Sequence, residues 1–185
     1  MKHGTIALSA LTVLLAASCG QQRPAPADGR AATEGPLTDA KIAAVLEVAN
    51  RGEIEQAELA RQRASQDVVR GFATAMITGH GAAAREQSQI LEQRGIRPEF
   101  NSMADRMMDR GMETQERLRN LEGEAFDRAY MQAQLEQHRE LLRMLDQELI
   151  PAAQDPQYRA YLEQLRTDVQ SHLTSAERIQ NQLVG

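Results

Sequence analysis

Residues 126–145, with the sequence FDRAYMQAQLEQHRELLRML, decide the fold class because they read as one amphipathic helix. Apolar side chains recur along them at the three- and four-residue spacing of one helix face, at Met131, Leu135, Leu142 and Leu145. His138 lies within this stripe. The stretch therefore predicts a helix that turns one face, and a histidine with it, toward a protein core.

The same periodicity continues on both sides of this stretch. It predicts two short helices, from about Asp39 to Asn50 and from about Gly52 to Ala64. Four long helices follow, at about 66–94, 102–122, 124–150 and 155–183. The alternation typical of strands is absent from Thr38 onward. We predict an all-α fold, an up-and-down four-helix bundle with the two short helices packed on it as an N-terminal helical hairpin.

Capping residues mark several of these helix ends. Thr38 is the expected N-cap of the first short helix, and Asp155 followed by Pro156 is the clearest helix start in the chain. Gly95 is suited to a left-handed C-cap, and Pro98 prevents the helix from continuing.

The N-terminus has the layout of a secretory signal. A short polar start with one lysine precedes an uncharged apolar run, which is too short to span a bilayer. The following AASC, residues 16–19, resembles the lipobox of bacterial lipoproteins, although Ala16 stands where leucine is usual. We predict a signal peptide at 1–18, a lipidated Cys19 opening a disordered tether at 19–37, and a helical-bundle domain at 38–185.

A lipid on Cys19 would hold the protein at a membrane without a transmembrane helix. Gly20 after the cysteine favours the outer membrane, facing the periplasm, in lipoproteins of two-membrane bacteria. The alternative is an ordinary signal peptide and a released, soluble protein. Cys19 is the only cysteine, so lipidation leaves none for a disulfide or a thiol nucleophile.

The charge of the mature chain argues against nucleic acid as a partner. Removal of Lys2 with the signal leaves 20 basic residues against 26 acidic ones, a net charge of −6. The arginines are scattered along every helix, so no basic stripe matches a phosphate backbone. The six aromatic residues are too few and too dispersed for base stacking.

The mature chain has three histidines, His80, His138 and His172, and all three fall on apolar helix stripes. An inward stripe covers about 3/7 of helical positions, so chance would place all three inward roughly 8 times in 100. They are either neutral core histidines, each with its own hydrogen-bond partner, or ligands of one transition-metal ion. Nitrogens lying far apart, or each satisfied separately, would end the ligand hypothesis.

Other features limit the possible metal chemistry. The Glu-x-x-His spacing of di-iron bundles is absent, because Ile77, Leu135 and Val169 stand three residues before the histidines. A mononuclear site would need the histidines at one height in the bundle, with Asp168 available to orient His172. Methionines at 103, 107, 108 and 112 are an alternative Cu(I) site, although methionine at helical spacing is typical core filler.

No pattern points to an enzyme. The chain has no phosphate-binding glycine loop and no nucleophile elbow, and most carboxylates lie on outward positions among arginines. Two carboxylates at expected helix starts, Glu53 and Asp127, are explained as caps or polar core contacts.

Three blocks resemble the bacterial envelope family known as domain of unknown function 4142. They are NRGEIEQAELARQRASQDVVRGFATAMITGH, FDRAYMQAQLEQH and SHLTSAERI, and the resemblance extends from about Leu37 to Leu183. It implies a ferritin-like helical bundle whose activity is not established. The family commonly has aspartate before the first histidine, whereas this chain has Gly79. That difference removes a candidate carboxylate ligand, and Gly79 and Gly81 together predict a local distortion of the helix.

Two hypotheses about function follow. The first is a non-enzymatic, lipid-anchored protein of the cell envelope with a binding or structural role and no cofactor. The second is a ferritin-like metal-binding protein that uses His80, His138 and His172.

Overall fold

A computed structural model describes residue 1 and residues 35–184 of the 185-residue chain. Within these residues the chain forms helices and no strands. In chain order the elements are α1 (Asp39–Arg63), α2 (Asp67–Arg94), α3 (Ser102–Arg119), α4 (Gly123–Met144), a π-helical turn (Leu145–Leu149), α5 (Ile150–Ala152) and α6 (Pro156–Val184). The predicted all-α helical-bundle class is confirmed.

Four helices, α1, α2, α4 and α6, form a bundle in which each helix is antiparallel to its two neighbours. Contacts between neighbours run in opposite chain order along each pair of helices. Between α1 and α2 the contacts are Ala43 with Gln87 and Asn50 with His80. Between α1, with the corner after it, and α4 they are Glu53 with Gln134 and Ser65 with Asp127. The α2–α6 contacts are Ala83 with Tyr161 and Arg94 with Asp155, and Arg139 with Glu177 and Asp146 with Arg166 join α4 and the turn after it to α6. The up-and-down arrangement therefore encloses one shared core.

The fifth long helix, α3, packs on the outside of this bundle. It runs parallel to α1, as shown by the contacts of Lys41 with Asn101 and of Arg63 with Arg119. Only Ala104 and Leu118 of α3 are fully buried, whereas α1 buries twelve of its residues. A helix that buries so little apolar area covers a bundle rather than forming one of its walls.

The predicted N-terminal hairpin is wrong, because α1 continues without a break from Asp39 to Arg63. Gly52, expected to separate two short helices, lies inside α1. A glycine in a helix interior costs only about 1 kcal/mol relative to alanine. Burial of apolar residues on both sides of Gly52, from Ile42 to Ala60, outweighs that cost. The N-terminal segment thus supplies a bundle wall, and α3 is the added helix.

Three predicted caps are present. Thr38 accepts a hydrogen bond from the Lys41 backbone N–H at 3.3 Å. Asp155 accepts from the Gln157 and Tyr158 backbone N–H groups at 2.9 and 3.0 Å. Gly95 ends α2 in the left-handed conformation with φ of 67°.

Asp127 caps a helix other than its own. It lies in the first turns of α4, but its carboxylate accepts hydrogen bonds from Ser65 N and Gln66 N, each at 2.9 Å, and from Ser65 Oγ at 2.6 Å. Because Ser65 and Gln66 immediately precede α2, this fully buried carboxylate fixes the α1–α2 corner against α4.

Of the helices in the described part of the chain, none combines the length and the apolar character that crossing a membrane requires.

Candidate metal centre

The three histidines converge in the core of the bundle. His80 comes from α2, His138 from α4 and His172 from α6. Their ring centroids form a nearly equilateral triangle with sides of 5.3, 5.6 and 5.7 Å. One nitrogen can be chosen from each ring so that the three lie within 4.8 Å of one another. The three histidines therefore face inward, as their helix spacing predicts, and also lie at the same height in the bundle.

Two of the rings are held by hydrogen bonds to neighbouring polar groups. His80 Nδ1 donates to Asn50 Oδ1 at 3.0 Å, and His138 Nδ1 donates to the Gln134 backbone carbonyl at 2.9 Å. A carbonyl oxygen can only accept, so Nδ1 carries the proton in each neutral ring. The Nε2 of each ring therefore keeps a free lone pair, which is the arrangement found in metal-binding histidines.

Each ring also has a buried nitrogen that lacks a hydrogen-bond partner among the described residues. These atoms are His80 Nε2, His138 Nε2 and His172 Nδ1. A buried polar atom without a partner costs about 1–3 kcal/mol. These three nitrogens are therefore available to a ligand.

Burial keeps these imidazoles neutral at physiological pH. It lowers the pKa of His80 to about 3, assisted by repulsion from the other two rings. Burial likewise lowers the pKa of His138 to about 4, against the opposing effect of its bond to Gln134. The pKa of His172 is also lowered to about 4, first by burial and then by His138. Neutral imidazole is the form that coordinates a metal.

A buried carboxyl group lies beside the cluster. Glu53 Oε1 is 4.0 Å from His138 Nδ1, too far for a hydrogen bond, while Glu53 Oε2 accepts from Gln134 Nε2 at 2.7 Å. Burial raises the pKa of Glu53 to about 7. Glu53 also lines a cavity of about 420 Å³ between α1, α3 and α4. A titratable carboxyl group therefore lies beside the His138 ring.

Two expectations about neighbouring residues are not met. Asp168 accepts a hydrogen bond from Gln164, and no hydrogen bond joins it to His172 in the described residues. The helix distortion predicted from Gly79 and Gly81 is absent, because α2 is continuous through both. Gly79 instead packs against the ring of His172, so that a Cβ added there would lie 3.0 Å from both Cε1 and Nε2.

The methionine run lies on α3, which carries none of the three histidines and packs on the outside of the bundle against α1 and α4. Met103, Met107 and Met108 are partly buried against the apolar core, and Met112 is exposed. This packing matches the core-filler interpretation.

Sequence reasoning missed the two polar residues that hold the rings. His138 donates to the backbone carbonyl of Gln134, four positions earlier, and any residue there would supply this carbonyl, so the identity of Gln134 gives no signal in the sequence. Asn50 is a buried polar residue on α1 and reaches His80 only through tertiary packing. Glu53 was interpreted as a helix-start carboxylate but lies inside α1. Cys19 falls outside the described residues, and its lipidation stays a prediction.

Comparison with known proteins defines the family to which the chain belongs. The family described as Domain of unknown function (DUF4142) matches residues 22–179, and the chain belongs to this family. No curated protein matches the sequence.

A solved structure of a DUF305 protein from Streptomyces coelicolor, described as secreted, is similar in fold. The TM-score is 0.64 at 15% sequence identity, over 80% of this chain and 94% of that one. At this identity the likeness concerns the fold alone. It supports a helical bundle and gives no support to a ferritin-like assignment.

Proposed function

We propose that this protein is a non-enzymatic, lipid-anchored component of the bacterial cell envelope that binds one transition-metal ion through His80, His138 and His172. The observation that carries the proposal is the set of three buried, unpartnered imidazole nitrogens in one nearly equilateral cluster. Three neutral nitrogens within 4.8 Å of one another are a candidate ligand set for a mononuclear site.

The alternative of a purely structural polar core fits this geometry less well. A structural core would give each histidine its own partners, as buried polar groups usually have. Here only one nitrogen of His80 and one of His138 is satisfied within the described residues. Without a ligand the remaining nitrogens would cost the fold about 1–3 kcal/mol each. A shared metal ion would satisfy all three together.

The chemistry of the donors restricts the ion. Imidazole suits Zn²⁺, copper, iron and nickel, whereas Mg²⁺ and Ca²⁺ prefer oxygen. Three neutral donors leave the full charge of the ion uncompensated, and Glu53, beside the His138 ring, is a buried acid that carries the opposite charge when ionised. Three protein ligands also leave a coordination position for water.

The cellular location proposed here comes from the N-terminal sequence. The signal at 1–18, Cys19 and the 19–37 tether together indicate a bundle anchored by lipid and facing the periplasm, on the outer membrane. Labelling cells with a radioactive or clickable fatty acid tests this. Wild-type protein should incorporate label, and Cys19→Ala should not. Equal labelling of the two chains would contradict the anchor.

Metal binding is tested on the purified chain from which the signal has been removed. The protein is loaded separately with Zn²⁺, Cu²⁺ and Fe²⁺, dialysed and assayed by mass spectrometry of the metal. We expect about one ion per chain for wild type and near-complete loss in the His80→Ala, His138→Ala and His172→Ala variants. The control replaces the methionines at 103, 107, 108 and 112 by leucine and should keep its metal.

Two results would contradict the proposal. One is wild-type protein that retains no near-stoichiometric metal under any of these loadings. The other is a histidine variant that stays folded, as judged by circular dichroism, and retains as much metal as wild type.

A further inference from the structure

Gly79 lies in the interior of α2, where the ring of His172 from α6 packs directly on the backbone. A Cβ at position 79 would lie 3.0 Å from both Cε1 and Nε2 of that ring. Ordinary carbon contacts lie at about 3.5–4.0 Å, so any side chain larger than hydrogen would push the ring away. The absence of a side chain at this position is therefore a requirement of the observed ring position.

His172 depends on this contact more than the other two histidines depend on their packing. His80 and His138 are each oriented by a hydrogen bond, to Asn50 and to the Gln134 carbonyl. His172 Nδ1 has no partner among the described residues, and Asp168 bonds to Gln164 instead. The orientation of the His172 ring therefore follows from the shape of its surroundings, and Gly79 forms one side of them.

We infer that Gly79 is a positioning residue of the metal centre, which brings His172 close enough to α2 to complete the three-nitrogen set with His80. This inference rests on the proposed function. Metal–nitrogen distances in well-formed sites lie within about 0.2 Å of their usual values, so a displacement of the ring by a few tenths of an ångström would carry the bond outside that range. Gly79 would supply no ligand atom of its own, and would act through His172.

Gly81 supplies a matched control on the same helix. It lies on the other side of His80 in sequence, and a Cβ there would meet only the Arg85 side chain at 3.5 Å, an ordinary contact. Gly79→Ala and Gly81→Ala add the same methyl group to the same helix, and both remove a helix-interior glycine. The two variants differ in that only the methyl group at position 79 would contact a histidine of the cluster.

The experiment is a Co²⁺ titration of wild type, Gly79→Ala and Gly81→Ala, followed by visible absorption, with zinc competition to give affinities. We expect Gly81→Ala to bind within about twofold of wild type with the same spectrum. Gly79→Ala should bind at least tenfold more weakly and give a changed spectrum, in the range seen when residues that orient metal ligands are replaced. Circular dichroism of the metal-free Gly79→Ala protein checks that it remains folded.

A second measurement reads the ring position without metal. Imidazole ¹⁵N–¹H correlation spectra of the metal-free proteins should show shifted His172 signals in Gly79→Ala and unshifted ones in Gly81→Ala. The inference is overturned if wild type binds Co²⁺ and Gly79→Ala matches its affinity and spectrum, or if Gly81→Ala loses as much. Absence of binding by wild type would instead overturn the proposed function, so the two failures are distinguishable.

Discussion

Glu53 is a carboxylic acid in surroundings that favour its protonated form. Burial removes the water that would stabilise its charge, and the hydrogen bond from Gln134 offsets only part of that loss. Its pKa of about 7 exceeds the ordinary value of 4.5. The folded metal-free protein therefore holds a proton that the unfolded chain releases between pH 4.5 and 7. Stability contributed by this group is present below pH 4.5 and declines as the pH rises to 7.

Glu53→Gln should stabilise the metal-free protein at alkaline pH. Glutamine keeps the shape and can still accept the hydrogen bond from Gln134, but it cannot ionise. We expect a gain of about 1–3 kcal/mol in the free energy of unfolding at pH 8, and little difference at pH 4.5. Urea unfolding in the presence of a chelator measures both values. Equal stability of the two proteins at pH 8 would show that the buried carboxyl carries no such cost.

Asp127 makes a separate prediction at the residue scale. Its carboxylate satisfies two backbone N–H groups and one hydroxyl at the corner before α2. Asp127→Ala should therefore cost about 2–3 kcal/mol in thermal or urea unfolding, because it leaves buried donors without an acceptor.

Asp67 supplies the control for Asp127. It lies in the first turn of α2, directly after the corner that Asp127 holds, but its side chain is almost fully exposed. Asp67→Ala should change stability by less than about 0.5 kcal/mol. A similar loss in both variants would contradict the role assigned to the buried carboxylate.

At the element scale, the sequence predicted the four long helices, wrongly divided α1 in two, and placed the ends of α3 and α4 too late. The periodicity of 126–145 and the caps at Asp155 and Gly95 give α4, α6 and the end of α2 nearly as observed. Local patterns failed at Gly52, where a weak helix former suggested a break. The unbroken helix is favoured by burial against α2 and α4, and no pattern within α1 alone reports that contact.

Two glycine substitutions should have opposite effects on stability, one at Gly52 inside α1 and one at Gly95 at the end of α2. A Cβ at Gly52 meets nothing within 4 Å, so Gly52→Ala should stabilise the protein by about 0.5–1 kcal/mol. Gly95 has a positive φ that alanine adopts with strain, so Gly95→Ala should destabilise it by about 1 kcal/mol. Chemical unfolding compares the two in one experiment. Destabilisation by Gly52→Ala would favour the hairpin that α1 replaces.

On the scale of the whole molecule, the histidine cluster couples stability to pH. Between about pH 6.5 and 4, unfolding lets three histidines take up protons that the folded state excludes. Glu53 has the opposite effect, because between pH 7 and 4.5 the folded state holds a proton on it that the unfolded chain releases. The net uptake approaches two protons, three minus one, although the half-buried His172 contributes less than a full proton. Each proton changes the free energy of unfolding by about 1.4 kcal/mol per pH unit.

We therefore expect the metal-free protein to lose stability steadily as the pH falls from 6.5 to 4.5. Melting temperatures recorded with a chelator across this range measure the effect. The Glu53→Gln variant lacks the opposing proton and should lose stability more steeply than wild type. A stability that stays constant or rises on acidification would contradict the burial of three neutral histidines.

Only part of the candidate site was predictable from the sequence, because the rest depends on how the whole bundle packs. Helical spacing alone placed His80, His138 and His172 on inward faces. Whether three inward residues meet depends on the relative heights of three helices, which the packing of the whole bundle determines. The outer hydrogen bond from Asn50 and the close approach at Gly79 likewise depend on which helices are neighbours, so a single sequence could not reveal them.

The most direct test of the central claim is X-ray absorption spectroscopy at the zinc edge of the stoichiometrically loaded protein. We expect about three imidazole nitrogens at about 2.0–2.1 Å, identified by the outer-shell scattering of their rings, and one further light atom from solvent. His172→Ala should lose one imidazole contribution or bind no zinc. A zinc environment made of oxygen atoms without imidazole, or one containing sulfur from the methionines of α3, would contradict the account.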